Sequence, residues 1–192
     1  MTSFKIHTPD TAPGSSAVVL EKVKSNVGFI PNVFATIAES QAGLAGITSL
    51  GDAFASSTFT SEEQQVIQLA VSTENECVYC VSGHTAFAQT LDIPREVVCS
   101  LREKKTVPDA RLEALSILVR SLIQNRGHIK QSEVDGFLDA GFTQAQFIEV
   151  ILGIALKTFS NYVSIALNIP LDAQFEKYAW QPNIEPGDAA QA

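Results

Sequence analysis

Apolar residues recur along most of this chain at the three- and four-residue spacings of amphipathic helices, and no segment sustains the two-residue alternation of a strand. The pattern predicts an all-α fold. Residues 1–16 carry Pro9, Pro13, Gly14, Ser15 and Ser16 and read as an extended arm outside the core. A helix is predicted over 17–25. The stretch Asn26-Val27-Gly28-Phe29-Ile30-Pro31-Asn32 breaks it, because Pro31 lacks an amide hydrogen and pushes Ile30 to extended backbone. Further helices are predicted at 33–39 and 41–55.

Thr60-Ser61-Glu62-Glu63 has the capping-box pattern, and Val66, Ile67, Leu69, Ala70 and Val71 supply the apolar face behind it. The chain turns near Asn75 and restarts as a helix over 76–90. Pro94 suits the first turn of a helix over 94–103. Pro108-Asp109 opens another, which bears Leu112, Leu115, Leu118, Val119 and Leu122 and stops at Gly127. Ser132-Glu133 starts a short helix ending at Gly141. Thr143 and Gln146 form a second capping box, and the helix behind it reaches Asn168 before Pro170 stops it. Apolar residues surround most of this last helix, which places it centrally. Residues 17–180 then form a single helical domain, followed by a loose tail over 181–192 that holds Pro182, Pro186 and Gly187. Phe59-Thr60 and Phe142-Thr143 each precede a capped apolar helix. An ancient duplication would produce this echo, and so would two helices sharing one capping grammar.

Of the 192 residues, 45% are apolar and only 18% charged. That supports a real core, and the low charged share points to surface covered by another copy of the chain. Thirteen basic against 21 acidic residues give a net charge of −8, which argues against a nucleic-acid backbone as partner. The cluster Arg102-Glu103-Lys104-Lys105 contains an acid and reads as a solvated helix end. The most apolar run, 147–167, is interrupted by Glu149, Lys157, Asn161 and Ser164, so no membrane span is expected. Met1-Thr2-Ser3-Phe4-Lys5 shows no charged-then-apolar leader, and a cytoplasmic location is the default expectation.

The candidate chemistry lies in Glu76-Cys77-Val78-Tyr79-Cys80-Val81-Ser82-Gly83-His84. On a helix, the spacings between Cys77, Cys80 and His84 put two thiols and an imidazole on one face. With Asn75 as N-cap, both cysteines fall in the first turn and a half, where the helix dipole favours thiolate over thiol. His84 can take the proton of Cys80 or, as imidazolium, stabilise its thiolate. A second thiol one turn away can attack a sulfenic acid and close a disulfide.

Rival readings exist. Cysteines pack well in cores. Zinc would need a fourth ligand, yet His7 and His128 are distant and isolated. A thioredoxin-type exchange motif would need a βαβ unit, which the pattern lacks. The third cysteine, Cys99, sits among Val97, Val98 and Leu101 and reads as a packed core residue. Tyr79 reads as a pocket wall or an interface residue. Asn161 and Tyr162 interrupt the long apolar helix and need partners, either on the CxxC helix or within their own turn. His7 and His128 are expected to face solvent.

The run Glu63-Gln64-Gln65-Val66-Ile67-Gln68-Leu69-Ala70-Val71-Ser72, with Glu74-Asn75-Glu76-Cys77-Val78-Tyr79-Cys80 and His84, resembles the core signature of the AhpD-like alkylhydroperoxidases of the carboxymuconolactone decarboxylase superfamily. Ala155-Leu156-Lys157-Thr158-Phe159-Ser160-Asn161-Tyr162, Pro170-Leu171-Asp172, Phe175 and Trp180 are similar to a subgroup of uncharacterised peroxidase-related proteins. The resemblance spans roughly residues 15–180. It implies an all-helical AhpD-like fold and an obligate homo-oligomer. It also implies cysteine-based hydroperoxide reduction without haem, flavin or metal. Cys80 would be the peroxide-attacking thiol, Cys77 its resolving partner and His84 the family histidine. A dithiol reductant, thioredoxin-like or lipoyl-bearing, would restore the pair.

Two positions depart from the family pattern. Gln65 stands where the peroxidases carry a relay Glu, and an amide can orient a ring or hold a water but cannot take a proton. Glu62 and Glu63 are the nearest carboxylates in sequence. Ile165 stands where subgroup relatives often place a His. The expected function is thiol peroxidase chemistry by Cys80, Cys77 and His84, with Gln65 and ordered water assisting. The alternatives are a redox-responsive disulfide-exchange protein, a lactone decarboxylase (those enzymes generally lack the CxxC pair), or an interaction module with a vestigial site.

Overall fold

Thr60 begins the segment on which the site is built, and its cap is closed in both directions. Its Oγ1 accepts from the Glu63 amide at 3.2 Å, and the Glu63 carboxylate accepts from the Thr60 amide at 2.9 Å. Thr143 and Gln146 repeat this at 3.1 and 3.0 Å. The computed structural model describes residues 4–182. Among them the helices are α1 (Ser16–Val27), α2 (Asn32–Ile37), α3 (Gln41–Ala55), α4 (Ser61–Glu74), α5 (Val78–Thr90), α6 (Arg95–Arg102), α7 (Ala110–Gln124), α8 (Gln131–Asp139) and α9 (Gln144–Ala166). No strand occurs among the described residues, as the periodicity predicts. The expected loose tail lies almost wholly outside the described residues.

Boundaries differ where local signals were weak. Pro94 is the N-cap of α6 and not its first helical residue. The helix expected from Ser132 begins at Gln131 and ends at Asp139. Ala173–Tyr178 form a short 3-10 helix that periodicity does not reveal. The indole N–H of Trp180 donates to the Arg102 carbonyl at 3.1 Å, and Arg102 donates back to the carbonyls of Tyr178 and Ala179. These bonds hold the segment after α9 against α6.

Helix α4 runs through the middle, packed against α5, α6, α7 and α9. One apolar cluster gathers Val66, Ile67, Leu69, Leu115, Leu118, Phe137 and Val150 around it. A second gathers Leu20, Val33, Ile37, Leu44 and Ile47 from α1–α3 with Cys77, Tyr79, Cys80 and Phe175. Burial of this kind contributes about 25 cal/mol per Å² of apolar surface. The thiol pair therefore sits in a packed apolar layer, not at a solvated helix end.

Helix α9 is central but not buried all round. Ile148, Ile151, Ala155, Phe159, Tyr162 and Ile165 face outward, whereas Lys157, Ser160, Asn161 and Ser164 are buried. From Lys157 onward its inward face is polar and its outward face apolar. Its length and composition would suit a membrane span, but its inner face is fitted against the thiol site. Gly153 lets it approach. A Cβ there would lie 2.7 Å from the Phe54 ring and 2.9 Å from Ile67. Lys157 follows one turn later.

Two minor expectations are corrected. His7 does not face solvent: it is 5% exposed, with Nδ1 at 2.8 Å from the Thr11 carbonyl and Nε2 at 2.7 Å from Glu39. Its amide donates to the Ala35 carbonyl at 3.1 Å, which ties the N-terminal segment to α2. His128 is exposed, as read. Cys99 is half-buried rather than a packed core residue, because α6 turns only Val97, Val98 and Leu101 fully inward.

Candidate thiol site

The chain leaves α4 at Glu74, and Asn75 caps that helix's C-terminus instead of opening the next one. Glu76 then adopts a left-handed conformation, φ 53°, which re-aims the backbone. Cys77 is extended and is itself the N-cap of α5. Its Sγ accepts from the Cys80 amide at 3.4 Å, the role a Ser or Asp oxygen plays in most caps. Cys80 thus lies in the first turn, where the unpaired amides and the helix dipole favour negative charge.

Both thiols are free and buried. Cys80 Sγ lies 3.9 Å from the Ser164 hydroxyl, and Asn161 on the same helix as Ser164 is among the groups that lower its pKa. Asn161 is fully buried and fixed from the other side. Its Oδ1 accepts from Asn75 at 3.0 Å, and its Nδ2 lies 3.3 Å from the Ser72 hydroxyl. Of the two polar residues that interrupt α9, Asn161 faces the CxxC helix and Tyr162 faces outward.

His84 projects from the same helix into a polar string. Its Nε2 is 2.5 Å from Lys157 Nζ, and its Nδ1 is 2.9 Å from Gln65 Oε1. An ammonium only donates, so Nε2 is the acceptor. The amide oxygen only accepts, so Nδ1 carries the hydrogen. His84 is therefore a neutral imidazole with both nitrogens engaged. Burial, then the Lys157 charge, push its pKa well below the ordinary histidine value. This corrects the expectation that His84 takes the Cys80 proton or stabilises the thiolate as imidazolium. Glu63 does not stand in for the missing carboxylate. It closes the α4 cap and pairs with Arg111 at 2.9 Å.

The two sulfurs are driven apart in acidity. The hydrogen bond from Cys77 lowers the Cys80 pKa most; burial opposes this, and Lys157, Asn161 and Ser164 lower it further. The Cys77 pKa is raised, first by that same bond and then by burial. The pair is therefore polarised, with Cys80 the more acidic sulfur and Cys77 the less.

Tyr79, between the cysteines, is pinned. Its hydroxyl donates to Asp172 and accepts from the Val33 amide at 3.3 Å. Asp172 in turn accepts from the Asn32 amide at 3.1 Å. Phe175 packs edge-on to Tyr79 and Phe87. A Cβ on Gly83 would come 3.1 Å from the Phe175 ring, so glycine is what admits that ring.

Cys80, His84 and Lys157 open onto a cavity of about 420 Å³, walled by Val23, Val33, Phe34, Ile47, Phe87 and Phe175 among others. Its size suits an organic molecule with an apolar body. Cys77 instead contributes to a separate depression of about 260 Å³ with Val78, Ser164, Ile165 and Ile169. Among the described residues, no cluster of three or more His, Cys, Asp or Glu side chains is placed to hold a metal ion.

Of the residues the sequence singled out, Cys77 caps the turn that carries Cys80, Gln65 bonds to His84, and Cys80 and His84 line one cavity with Lys157. Sequence reasoning did not name Lys157, Ser164 or Asp172 as site residues. The signal for the first two was available, since Lys157, Ser160, Asn161 and Ser164 form a polar stripe of helical period in an apolar segment.

The fold is that of the AhpD-like helical proteins. A peroxidase-related protein with an alkylhydroperoxidase AhpD core from Ralstonia eutropha is similar at TM-score 0.77 and 21% identity, over 90% of this chain and 93% of that one. A peroxidase-related protein from Silicibacter sp. is similar at TM-score 0.77 and 21% identity, over 91% and 97%. A variant of the debrominase Bmp8 in complex with 2,3,4-tribromopyrrole is similar at TM-score 0.78 and 18% identity, over 93% and 96%. No family model and no curated protein matches the sequence.

Proposed function

We propose that this protein is a thiol peroxidase acting on organic hydroperoxides. The observation that carries the reading is a buried Cys80 in the first turn of α5, 3.9 Å from the Ser164 hydroxyl and at the wall of a largely apolar cavity, with Cys77 and Lys157 lowering its pKa. Hydrogen peroxide alone would need no such chamber. The Cys80 thiolate attacks the terminal oxygen of the hydroperoxide, the O–O bond breaks, and an alkoxide leaves. Lys157 supplies its proton, giving the alcohol, and is reprotonated from solvent. Cys77 thiol then condenses with the Cys80 sulfenic acid, releasing water and forming the disulfide. A dithiol reductant returns both sulfurs. Gln65 holds the His84 ring, and His84 holds Lys157, so both act as positioning residues. The apolar outer face of α9 around Ile148, Ile151 and Ala155, away from Ile165, supports assembly with further copies of the chain, and the cytoplasm is the compartment that suits free thiols.

The test is single-turnover consumption of cumene hydroperoxide by the wild type, Cys80→Ser and Cys77→Ser. Loss of the fast phase in Cys80→Ser, with a persisting sulfenic acid in Cys77→Ser, is expected. Equal rates in all three overturn the reading. A second reading, thiol-driven removal of halogen from an aromatic ring, draws on the cavity size and on the fold shared with Bmp8. Release of bromide from 2,3,4-tribromopyrrole without hydroperoxide turnover would favour it.

A further inference from the structure

The two sulfurs face different openings. The large cavity is lined by Cys80 and not by Cys77, and the smaller depression is lined by Cys77 and not by Cys80. Only Tyr79 is shared. Its ring is fixed by Asp172, by the Val33 amide and by the Phe175 edge, so it acts as a rigid partition. We propose that substrate and reductant use separate entrances: hydroperoxide reaches Cys80 through the large cavity, and a slender aliphatic dithiol reaches Cys77 through the depression bordered by Val78, Ile165 and Ile169. This inference rests on the disulfide chemistry proposed above and adds its direction.

The chemistry runs the same way as the geometry. A thiolate of the reductant attacks Cys77 Sγ, the Cys77–Cys80 bond breaks, and its electron pair leaves on Cys80. Lys157, Asn161 and Ser164 already stabilise a thiolate there, and exchange is faster when the leaving sulfur is the better anion. The second thiolate of the reductant then attacks its own sulfur in the mixed disulfide. That step closes the reductant's disulfide and frees Cys77, which takes up a proton. Attack on Cys80 from the large cavity would instead expel Cys77 as a fully buried anion, for which burial outweighs the help of the Cys80 amide and of Lys157.

The depression also selects the reductant's shape. Cys77 has no exposed surface, and Ile165 and Val78 at the rim are 45% and 38% exposed. A flat protein face cannot set a thiol against that sulfur, whereas a two-carbon or three-carbon dithiol passes once a rim side chain rotates.

The test uses the full-length protein, oxidised with either cumene hydroperoxide or diamide, then treated with 2-mercaptoethanol and quenched in acid. Peptide mass spectrometry locates the adduct. An adduct on Cys77 is expected; one mainly on Cys80 overturns the proposal. Ile165→Trp is expected to slow dithiothreitol reduction at least tenfold more than it slows oxidation by hydroperoxide. Equal slowing of the two half-reactions also overturns it. A disulfide formed by diamide but not by hydroperoxide defeats the peroxidase reading alone, because the adduct can still be located on that disulfide. No disulfide with either oxidant defeats both.

Discussion

Lys157 Nζ lies 2.5 Å from His84 Nε2, and the lysine charge adds to burial in lowering the imidazole pKa and adds to Cys77 in lowering that of Cys80. With the ammonium donating and Gln65 accepting, the imidazole is neutral, and the positive charge in the site belongs to the lysine. Lys157→Met removes it. The expected result is a Cys80 pKa raised by about one to three pH units, the size of effect a close opposite charge usually has. The pH profile of Cys80 alkylation by iodoacetamide measures this. In the wild type its midpoint is expected below the free-thiol value of about 8.5. Lys157→Arg keeps the charge and is expected to retain most of the shift. A profile in Lys157→Met identical to the wild type would remove the lysine from the mechanism.

His84 predicts a pH dependence of stability. Its folded pKa is depressed, so below about pH 6.5 the unfolded chain binds a proton that the native chain does not. Stability contributed by the neutral ring is intact above that pH and falls as pH drops toward the folded value, by about 1.4 kcal/mol per pH unit. His84→Gln removes the titrating group. Urea unfolding of the two proteins between pH 7 and 5 checks this. The wild type is expected to lose stability with the steeper slope, and parallel slopes would contradict the buried neutral ring.

Much of this site was legible because its determinants are local. Capping boxes are written in four consecutive residues, so Thr60 and Thr143 could be placed from sequence alone. The same-face relation of Cys80 and His84 needs only helical periodicity. The N-cap was misread because Asn75 is a good capping residue in either direction, and only the left-handed Glu76 decides that Cys77 takes the role. His84 was given a proton-transfer role because its partner Lys157 lies 73 residues away, on a helix whose apolar character drew attention from its polar stripe. His7 was misread for a similar reason. Glu39 lies 32 residues on, and only the fold brings them together.

The cavity predicts substrate preference. Gly51 of α3 lines it, and a Cβ added there meets nothing within 4 Å. Gly51→Leu therefore fills part of the chamber without a clash, and it replaces a helix-interior glycine that costs about 1 kcal/mol. Wild-type protein is expected to consume cumene hydroperoxide at least tenfold faster than hydrogen peroxide. Gly51→Leu is expected to lower the first rate severalfold and leave the second within twofold. Stopped-flow competition between the two substrates reads the ratio, and an unchanged ratio would mean that the cavity does not select.

Gly153 couples packing to chemistry. Its hydrogen faces the Phe54 ring and the Ile67 methyl at distances that a Cβ could not share. Gly153→Ala gains helix propensity, about 0.5–1 kcal/mol, but must push α9 from α3 and α4 or force two core side chains off their rotamers. Overpacking of this kind costs about 1–3 kcal/mol, so a net loss of about 1–2 kcal/mol is expected. For a chain of this size each kcal/mol lowers the melting temperature by about 2–4 °C. Lys157 lies one turn beyond Gly153, so an outward shift of α9 lengthens its contact with His84 and weakens its hold on the Cys80 thiolate. The variant should therefore show two linked changes: a lower melting temperature by calorimetry, and a higher midpoint for Cys80 alkylation. Destabilisation with an unmoved thiol midpoint would mean that the core absorbs the methyl without displacing α9.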